Sequence, residues 1–205
     1  TAADFESIRI AGSKIELNGD TKITLSRDDP RSAVLDRGEA LFVVVHNDQH
    51  PFTVTVGDAV VQDAGTVFNI IRAGDMTEDG VSEGLVIYNP DKQRVALEPG
   101  DALRANDGSA GVEKFAVATS AVGSWQRRQL SYNGATLDRV AADISRSLGE
   151  QVTISPSLNA ARFTGTLNLK KDSGSFFKDA APVLDVRVER KGNGWILLGT
   201  NEAGG

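Results

Sequence analysis

The stretch from Leu35 to Ile71 constrains the fold most, because it contains four short apolar runs that are separated by turn residues. These runs are rich in β-branched residues and phenylalanine, which pack well on the pleated surface of a sheet. In the second run, apolar residues alternate with Thr53 and Thr55, which is the period-2 pattern of a strand with one buried face. We therefore predict strands over the ranges 35–45, 52–56, 60–61 and 67–71.

The rest of the N-terminal half shows similar runs and predicts no helix. Asn18-Gly19, between two alternating runs, predicts a hairpin, because both residues tolerate positive φ. The polar, glycine-rich segment 73–84 predicts a loop or a short, poorly packed hairpin, and residues 85–88 predict a further strand. Many short strands with frequent turns are typical of a sandwich, a roll or a solenoid-like fold.

The pattern changes after Trp125. A helix capped by Thr136 and Gly149 is predicted, because apolar residues follow helical spacing at positions 137, 140, 141, 144 and 148. A second, shorter helix is predicted over 175–181, and a final hairpin over 184–198. The order strand, helix, strand, strand, helix, strand, strand describes two βαβ-like units.

The small and polar segment 106–124 predicts a link between an all-β domain of residues 1–122 and an α+β domain of residues 123–205. The net charge of the chain also changes sign near this segment. Residues 1–123 hold 11 basic and 20 acidic residues, a net of −9, whereas residues 124–205 hold 11 and 8, a net of +3. The total of −6 argues against a nucleic-acid partner, whose binding rests on neutralised phosphates.

Composition excludes several kinds of chemistry. No cysteine is present, so disulfides and thiolate sites are excluded. No apolar run approaches the ~18 residues that cross a bilayer, so we predict no membrane segment within this chain. The sequence opens at Thr1 with no signal peptide, and we interpret it as a fragment or a processed form. We expect no cofactor, because phosphate-binding glycine loops, dinucleotide motifs and nucleophile elbows are absent from the sequence.

Three motifs in the central stretch resemble those of the FecR family, whose members are single-pass inner-membrane anti-sigma regulators of bacterial cell-surface signalling. The motif residues are Gly38-Glu39-Ala40 with Phe42 and Val44, Pro51-Phe52 with Val54, and Gly65-Thr66 with Phe68 and Ile70. The resemblance is to the periplasmic part of such proteins, and it implies a rolled or solenoid-like fold. Ala11-Gly12-Ser13 departs from the family, which often has Asp-Gly-Ser there.

The C-terminal part resembles the secretin and TonB short N-terminal domain, which also ends FecR-family chains. The matching residues are Trp125, Leu130-Ser131-Tyr132, Leu137, Val140, Phe163-Thr164-Gly165 and the hairpin to Trp195. Arg128 stands where the family often has glycine. The predicted fold is therefore a mainly β N-terminal module of roll or solenoid-like type, followed by a small α+β module with two βαβ-like units.

Together these resemblances imply signal relay without catalysis. The chain would be the periplasmic part of an anti-sigma regulator and would bind the N-terminal signalling domain of a TonB-dependent outer-membrane transducer. It would act on a cytoplasmic sigma factor through segments that are absent from this chain, and would thereby control transcription for iron and siderophore uptake. We expect docking on the C-terminal module, whose net positive charge suits an acidic partner surface.

The last hairpin carries the residues that we predict to bind this partner. The final strands of a small sheet are often edges, and an edge can accept a strand from another chain. An edge covered by the first module is an equal alternative at this point. The predicted partner-binding residues are Leu184, Val186, Val188, Arg190, Trp195 and Leu197.

Other polar clusters give weaker signals. His46 and His50 are four residues apart, but their neighbours predict strand and loop, so we expect a solvated loop and no metal site. We interpret Arg127-Arg128 and Lys170-Lys171 as solvated pairs. Loop carboxylates lack the spacing of an EF-hand calcium site; they are Asp28, Asp29, Asp75, Glu78, Asp79 and Glu83.

Two other functions stay open. A β-rich extracytoplasmic domain that binds or hydrolyses carbohydrate would need a cleft with exposed aromatic residues and paired carboxylates, and aromatic residues make up only 6% of the chain. A structural subunit of a secretion system would explain the resemblance of the C-terminal part, but it would not explain the motifs between Gly38 and Ile70.

Overall fold

The structure is a computed structural model that describes residues 5–201. The chain divides into two compact units, residues 1–123 and residues 124–205. Across the described part of the chain, no helix is long and apolar enough to span a membrane.

The first unit is a curled, half-barrel sheet of twelve strands in the part that the structure describes. A single turn of 3-10 helix, Thr119–Ala121, follows the last strand. The strands are β1 (Glu6–Ile10), β2 (Ser13–Leu17), β3 (Lys22–Leu25), β4 (Ser32–Val43), β5 (Thr53–Val56), β6 (Ala59–Asp63), β7 (Val67–Ala73), β8 (Met76–Glu83), β9 (Val86–Tyr88), β10 (Val95–Leu97), β11 (Asp101–Asn106) and β12 (Val112–Ala116).

Strand β4 belongs to both sides of the curled sheet. Its first half pairs with β3 and β5, and its second half pairs with β2 and β7. Between the halves, Gly38 has a φ of +95°, and a Cβ there would lie 2.5 Å from the Cα of Thr21. Only glycine combines this φ with this clearance. The curled arrangement confirms the predicted β-rich roll.

The core of the first unit is centred on three fully buried phenylalanines. Phe42 of β4 stacks on Phe68 of β7 with ring centroids 4.9 Å apart, and Phe52 lies 6.1 Å from Phe42. Val54 and Val56 continue the buried face of β5, while the threonines between them are half-buried. The predicted alternation and the four predicted strands of the central stretch are confirmed.

The hairpin predicted at Asn18-Gly19 is wrong. The strands that flank this pair, β2 and β3, both pair with β4 and do not pair with each other. The first hairpin is instead at Ala11-Gly12, between β1 and β2. The preference of Asn-Gly for a tight turn is local, whereas strand pairing is decided by the packing of side chains from distant strands.

Of the two alternatives predicted for 73–84, the loop is wrong, because β8 lies there between β7 and β11. The hairpin is present, since β8 pairs with β7 across a turn at Gly74, but β8 is longer and better packed than predicted. Thr77, Asp79 and Val81 form its buried face, and the residues between them are partly buried. The alternation of burial is regular, but Asp79 and Gly80 conceal it in the sequence. A carboxyl at a core position made the strand look polar.

The second unit contains two helices and two small sheets within its described residues. One sheet pairs two strands, and the other has three strands, of which the first runs parallel to the central one. The elements are a 3-10 helix (Ser124–Arg127), β13 (Gln129–Thr136), α1 (Leu137–Leu148), β14 (Val152–Ile154), a 3-10 helix (Pro156–Leu158), β15 (Arg162–Asn168), α2 (Ser173–Leu184), β16 (Val186–Lys191) and β17 (Gly194–Gly199).

Helix α1 has the predicted caps. The Thr136 side chain accepts a hydrogen bond from the Arg139 amide at 3.4 Å, and Gly149 adopts the left-handed conformation with φ of +68°. Helix α2 is longer than predicted and extends to Leu184, where Asp185 caps it with φ of +53°. The strand predicted from residue 184 therefore begins only at Val186.

Candidate partner-binding site

The last hairpin, β16 and β17, supplies two strands of the three-stranded sheet. Strand β17 is central, since it pairs with β14 on one side and β16 on the other. Among the described strands, β16 is therefore an edge of this sheet. Helix α2 contacts β16, and helix α1 contacts β14. Helix α2 therefore packs against the hairpin at β16, its edge strand.

The six predicted partner-binding residues divide into two groups. Val188 and Trp195 are half-buried, and the side chain of Arg190 is 55% exposed. The others lie in the core of the unit, because the apolar character that made them candidates also drives their burial. The buried residues are Leu184, Val186 and Leu197. They can support the hairpin but cannot form the surface of a docking site.

Arg190 and Trp195 form a compact cluster with Glu150. The Arg190 guanidinium carbon lies 4.0 Å from the centroid of the Trp195 ring, and both side chains donate hydrogen bonds of 2.9 Å to Oε2 of Glu150. Phe177 of α2 supports the indole, with ring centroids 4.7 Å apart. A hydrogen bond from Ser173, together with smaller effects of Trp195 and Arg190, lowers the pKa of Glu150.

This cluster, which we call the Arg190–Trp195 platform, places a charge and an aromatic ring at the end of the edge strand. Tryptophan and arginine are among the residues most enriched at the energetic centres of protein interfaces. The platform is held by contacts to Glu150 and Phe177, so its side chains lose little further freedom on binding. It can therefore serve as a preorganised contact for another protein.

The sequence did not reveal Glu150 and Phe177 as parts of this cluster, because nothing local connects them to Trp195. The sequence also did not show which face of the hairpin is buried. The alternation of residues along a strand assigns them to two faces, but it does not show which face packs against the rest of the unit. The outward face is half-buried and consists of Arg187, Glu189, Ile196 and Leu198.

The motif around Gly65 supports the fold of the first unit. Gly65 has a φ of +87°, and a Cβ there would lie 2.6 Å from the Cβ of His46. Oδ1 of Asp63 accepts hydrogen bonds from the Gly65 amide at 2.9 Å and from the Thr66 hydroxyl. The Thr66 carbonyl accepts from the Val44 amide at 2.9 Å. Burial raises the pKa of Asp63 to about 6. This motif therefore joins the loop before β7 to the end of β4.

The two histidines lie in the exposed loop between β4 and β5, where the sequence predicted a loop. Nε2 of His46 lies 2.9 Å from Oδ1 of Asp48, and Nε2 of His50 lies 3.2 Å from Oδ2 of Asp29. Residues 5–201 contain no group of three or more histidine and carboxylate side chains that could hold a metal ion.

Asp79 is a carboxyl in the core of the first unit. Its side chain is fully buried, and neither oxygen has a hydrogen-bond partner among the described residues. Its cross-strand neighbours are Ile70 and Leu103. Burial, with a smaller effect of Glu78, raises the pKa of Asp79 to about 8. The carboxyl is therefore mostly protonated at neutral pH.

A half-open pocket of about 460 Å³ lies in the second unit. Its buried apolar residues are Leu137, Leu158 and Leu184. Asp185 is its one carboxyl, and no aromatic residue lines it. A glycosidase site needs two facing carboxyl groups, so this pocket gives no support to the hydrolytic alternative.

Comparison with known proteins identifies the first unit. Residues 6–87 match the model of the family described as FecR protein, so the chain contains a FecR domain. Two crystal structures of a candidate anti-sigma factor from Parabacteroides distasonis, at 2.50 and 1.65 Å resolution, have the same fold. In both cases the TM-score is 0.85 and the identity is 18%, over 98% of this chain and 97% of that chain. No curated protein matches the sequence.

Proposed function

We propose that this chain is the periplasmic, signal-relaying part of a transmembrane anti-sigma regulator. The FecR domain at residues 6–87 carries this proposal, and the fold shared with a candidate anti-sigma factor supports it. The partner is the N-terminal signalling domain of a TonB-dependent outer-membrane transducer, and the regulated process is iron and siderophore uptake. The sigma factor is reached through segments outside this chain. The chain itself acts by binding and not by catalysis.

The proposed docking site consists of the β16 edge and the Arg190–Trp195 platform, within an inferred secretin and TonB short N-terminal-like domain. A strand added to an edge gains affinity from backbone hydrogen bonds and specificity from neighbouring side chains. The edge of β16 offers the backbone hydrogen-bonding groups, and the platform offers the neighbouring side chains.

Calorimetry of the whole chain against the purified signalling domain of a transducer from the same genome tests this proposal. We expect saturable one-to-one binding. Arg190→Ala should weaken it about tenfold or more, because the substitution removes the exposed cation of the platform. The matched control is Arg162→Ala, which truncates an exposed arginine of β15 in the same unit. This variant should keep the wild-type affinity to within about twofold.

The results of this experiment distinguish an error in the proposed docking site from an error in the proposed partner. Binding that both arginine variants weaken equally would retain the partner but reject the platform as its docking site. No binding to any such signalling domain, together with heat released from a panel of glycans, would replace the relay function with the carbohydrate-binding alternative.

A further inference from the structure

Five exposed basic side chains lie on three segments of the second unit that contact one another. We call them the basic patch. Two belong to the 3-10 helix and the turn that follows it, two follow β15, and one lies on α2. The residues are Arg127, Arg128, Lys170, Lys171 and Lys178.

Backbone contacts bring these segments together. The Leu169 amide donates a hydrogen bond of 2.7 Å to the Arg128 carbonyl, and the Arg128 guanidinium donates one of 3.2 Å to the Lys170 carbonyl. Lys170 forms an ion pair with Asp179, the residue next to Lys178 on α2. Arg128 and Lys170 are 42 positions apart in the chain, yet these contacts bring the segments that carry the five basic residues next to one another.

The basic patch accounts for the charge excess of the second unit. Two acidic residues lie within it, and both are engaged: Asp172 accepts a hydrogen bond from the Ser175 amide at 2.6 Å, and Asp179 pairs with Lys170. These five basic and two acidic residues sum to +3. The remaining six basic and six acidic residues of 124–205 cancel, and examples of their pairing are Asp143 with two arginines and Glu150 with Arg190.

We propose that the basic patch binds the anionic phospholipid headgroups of a membrane surface. Protein interfaces are centred on large aromatic anchors, but the patch presents none, since Trp125 beside it is buried and the exposed apolar residue one turn after Asp179 on α2 is the small Val183. Long, flexible cations need no such anchor on a lipid surface, where each strengthens binding about fivefold.

Co-sedimentation of the whole chain with lipid vesicles tests the proposal. We expect binding to vesicles that contain phosphatidylglycerol, no binding to phosphatidylcholine alone, and loss of binding at high salt. Lys171→Gln should weaken binding about fivefold, and Lys171→Gln with Lys178→Gln about 25-fold. The matched control, Lys191→Gln, removes an exposed lysine from the end of β16 in the same unit. It should change binding less than about twofold.

Equal binding to both kinds of vesicle, or an equal loss in the Lys191→Gln control, would overturn the proposal. Binding to soluble polyglutamate without binding to anionic vesicles would assign the basic patch to an acidic protein instead. The result is independent of the proposed docking of a transducer domain, because that site uses Arg190 and Trp195 and its test contains no lipid.

Discussion

Asp79 occupies a position that the alternation of β8 assigns to the core, next to Ile70 and Leu103 on the neighbouring strands. Its pKa is about 8 in the folded protein and near the ordinary value of 3.8 in an unfolded chain. Between these values the folded state keeps a proton that the unfolded chain releases. The contribution of Asp79 to stability is therefore most favourable below about pH 4 and declines as the pH rises to about 8.

Asp79→Asn should remove this pH dependence, because an amide cannot ionise. Each unit of pKa shift corresponds to about 1.4 kcal/mol, so the variant should be more stable than the wild type by several kcal/mol above pH 8. Denaturant unfolding at acidic, neutral and alkaline pH measures the difference. Asp91→Asn, at an exposed position after β9, should keep the wild-type profile. Identical pH profiles for the wild type and Asp79→Asn would contradict a neutral carboxyl in the core.

Strand β4 shows how one residue shapes an element. Gly38 lies between the half of β4 that pairs with β3 and the half that pairs with β2, at a point where the φ is positive and Thr21 leaves no space for a side chain. The same glycine begins the first FecR-like motif. The geometry of the sheet therefore gives a structural reason for this part of the motif.

Gly38→Ala should destabilise the first unit by about 3 kcal/mol, since strain at positive φ adds to steric overlap with Thr21. Gly74→Ala is the matched control, because Gly74 also has a positive φ, of +61°, but a Cβ there would have no other atom within 4 Å. Its cost should be about 1 kcal/mol. Denaturant midpoints of both variants provide the measurement. Equal costs at the two positions would show that close contact with Thr21 is unimportant.

The molecule as a whole combines a FecR domain in an acidic unit with a second unit that carries both the proposed docking site and the basic patch. If a transducer domain adds a strand to β16, hydrogen exchange of the whole chain should slow at residues 186–191 when this domain is present. Amides of the first-unit strands should be unaffected, because added backbone hydrogen bonds protect amides locally. Protection confined to the first unit would place the partner there instead.

Some features of this protein follow from its sequence alone. Alternation identified the central strands, including the buried face that begins at Phe52, and helical spacing with Thr136 and Gly149 identified α1 and its ends. These features depend on residues within a few positions of one another, so the sequence contains the necessary information. The three motifs also predicted a FecR-like domain, and the match at residues 6–87 confirms that domain.

Other features were decided only by the tertiary structure. The strands around Asn18-Gly19 pair with β4 despite a strong local turn signal, and β8 is a strand despite Asp79 in its centre. The contact of Glu150 with Trp195 and the meeting of Arg128 with Lys170 join residues more than 40 positions apart. Such contacts depend on which strands pair and which faces are buried. That choice minimises the free energy of the whole chain, and no local pattern records it.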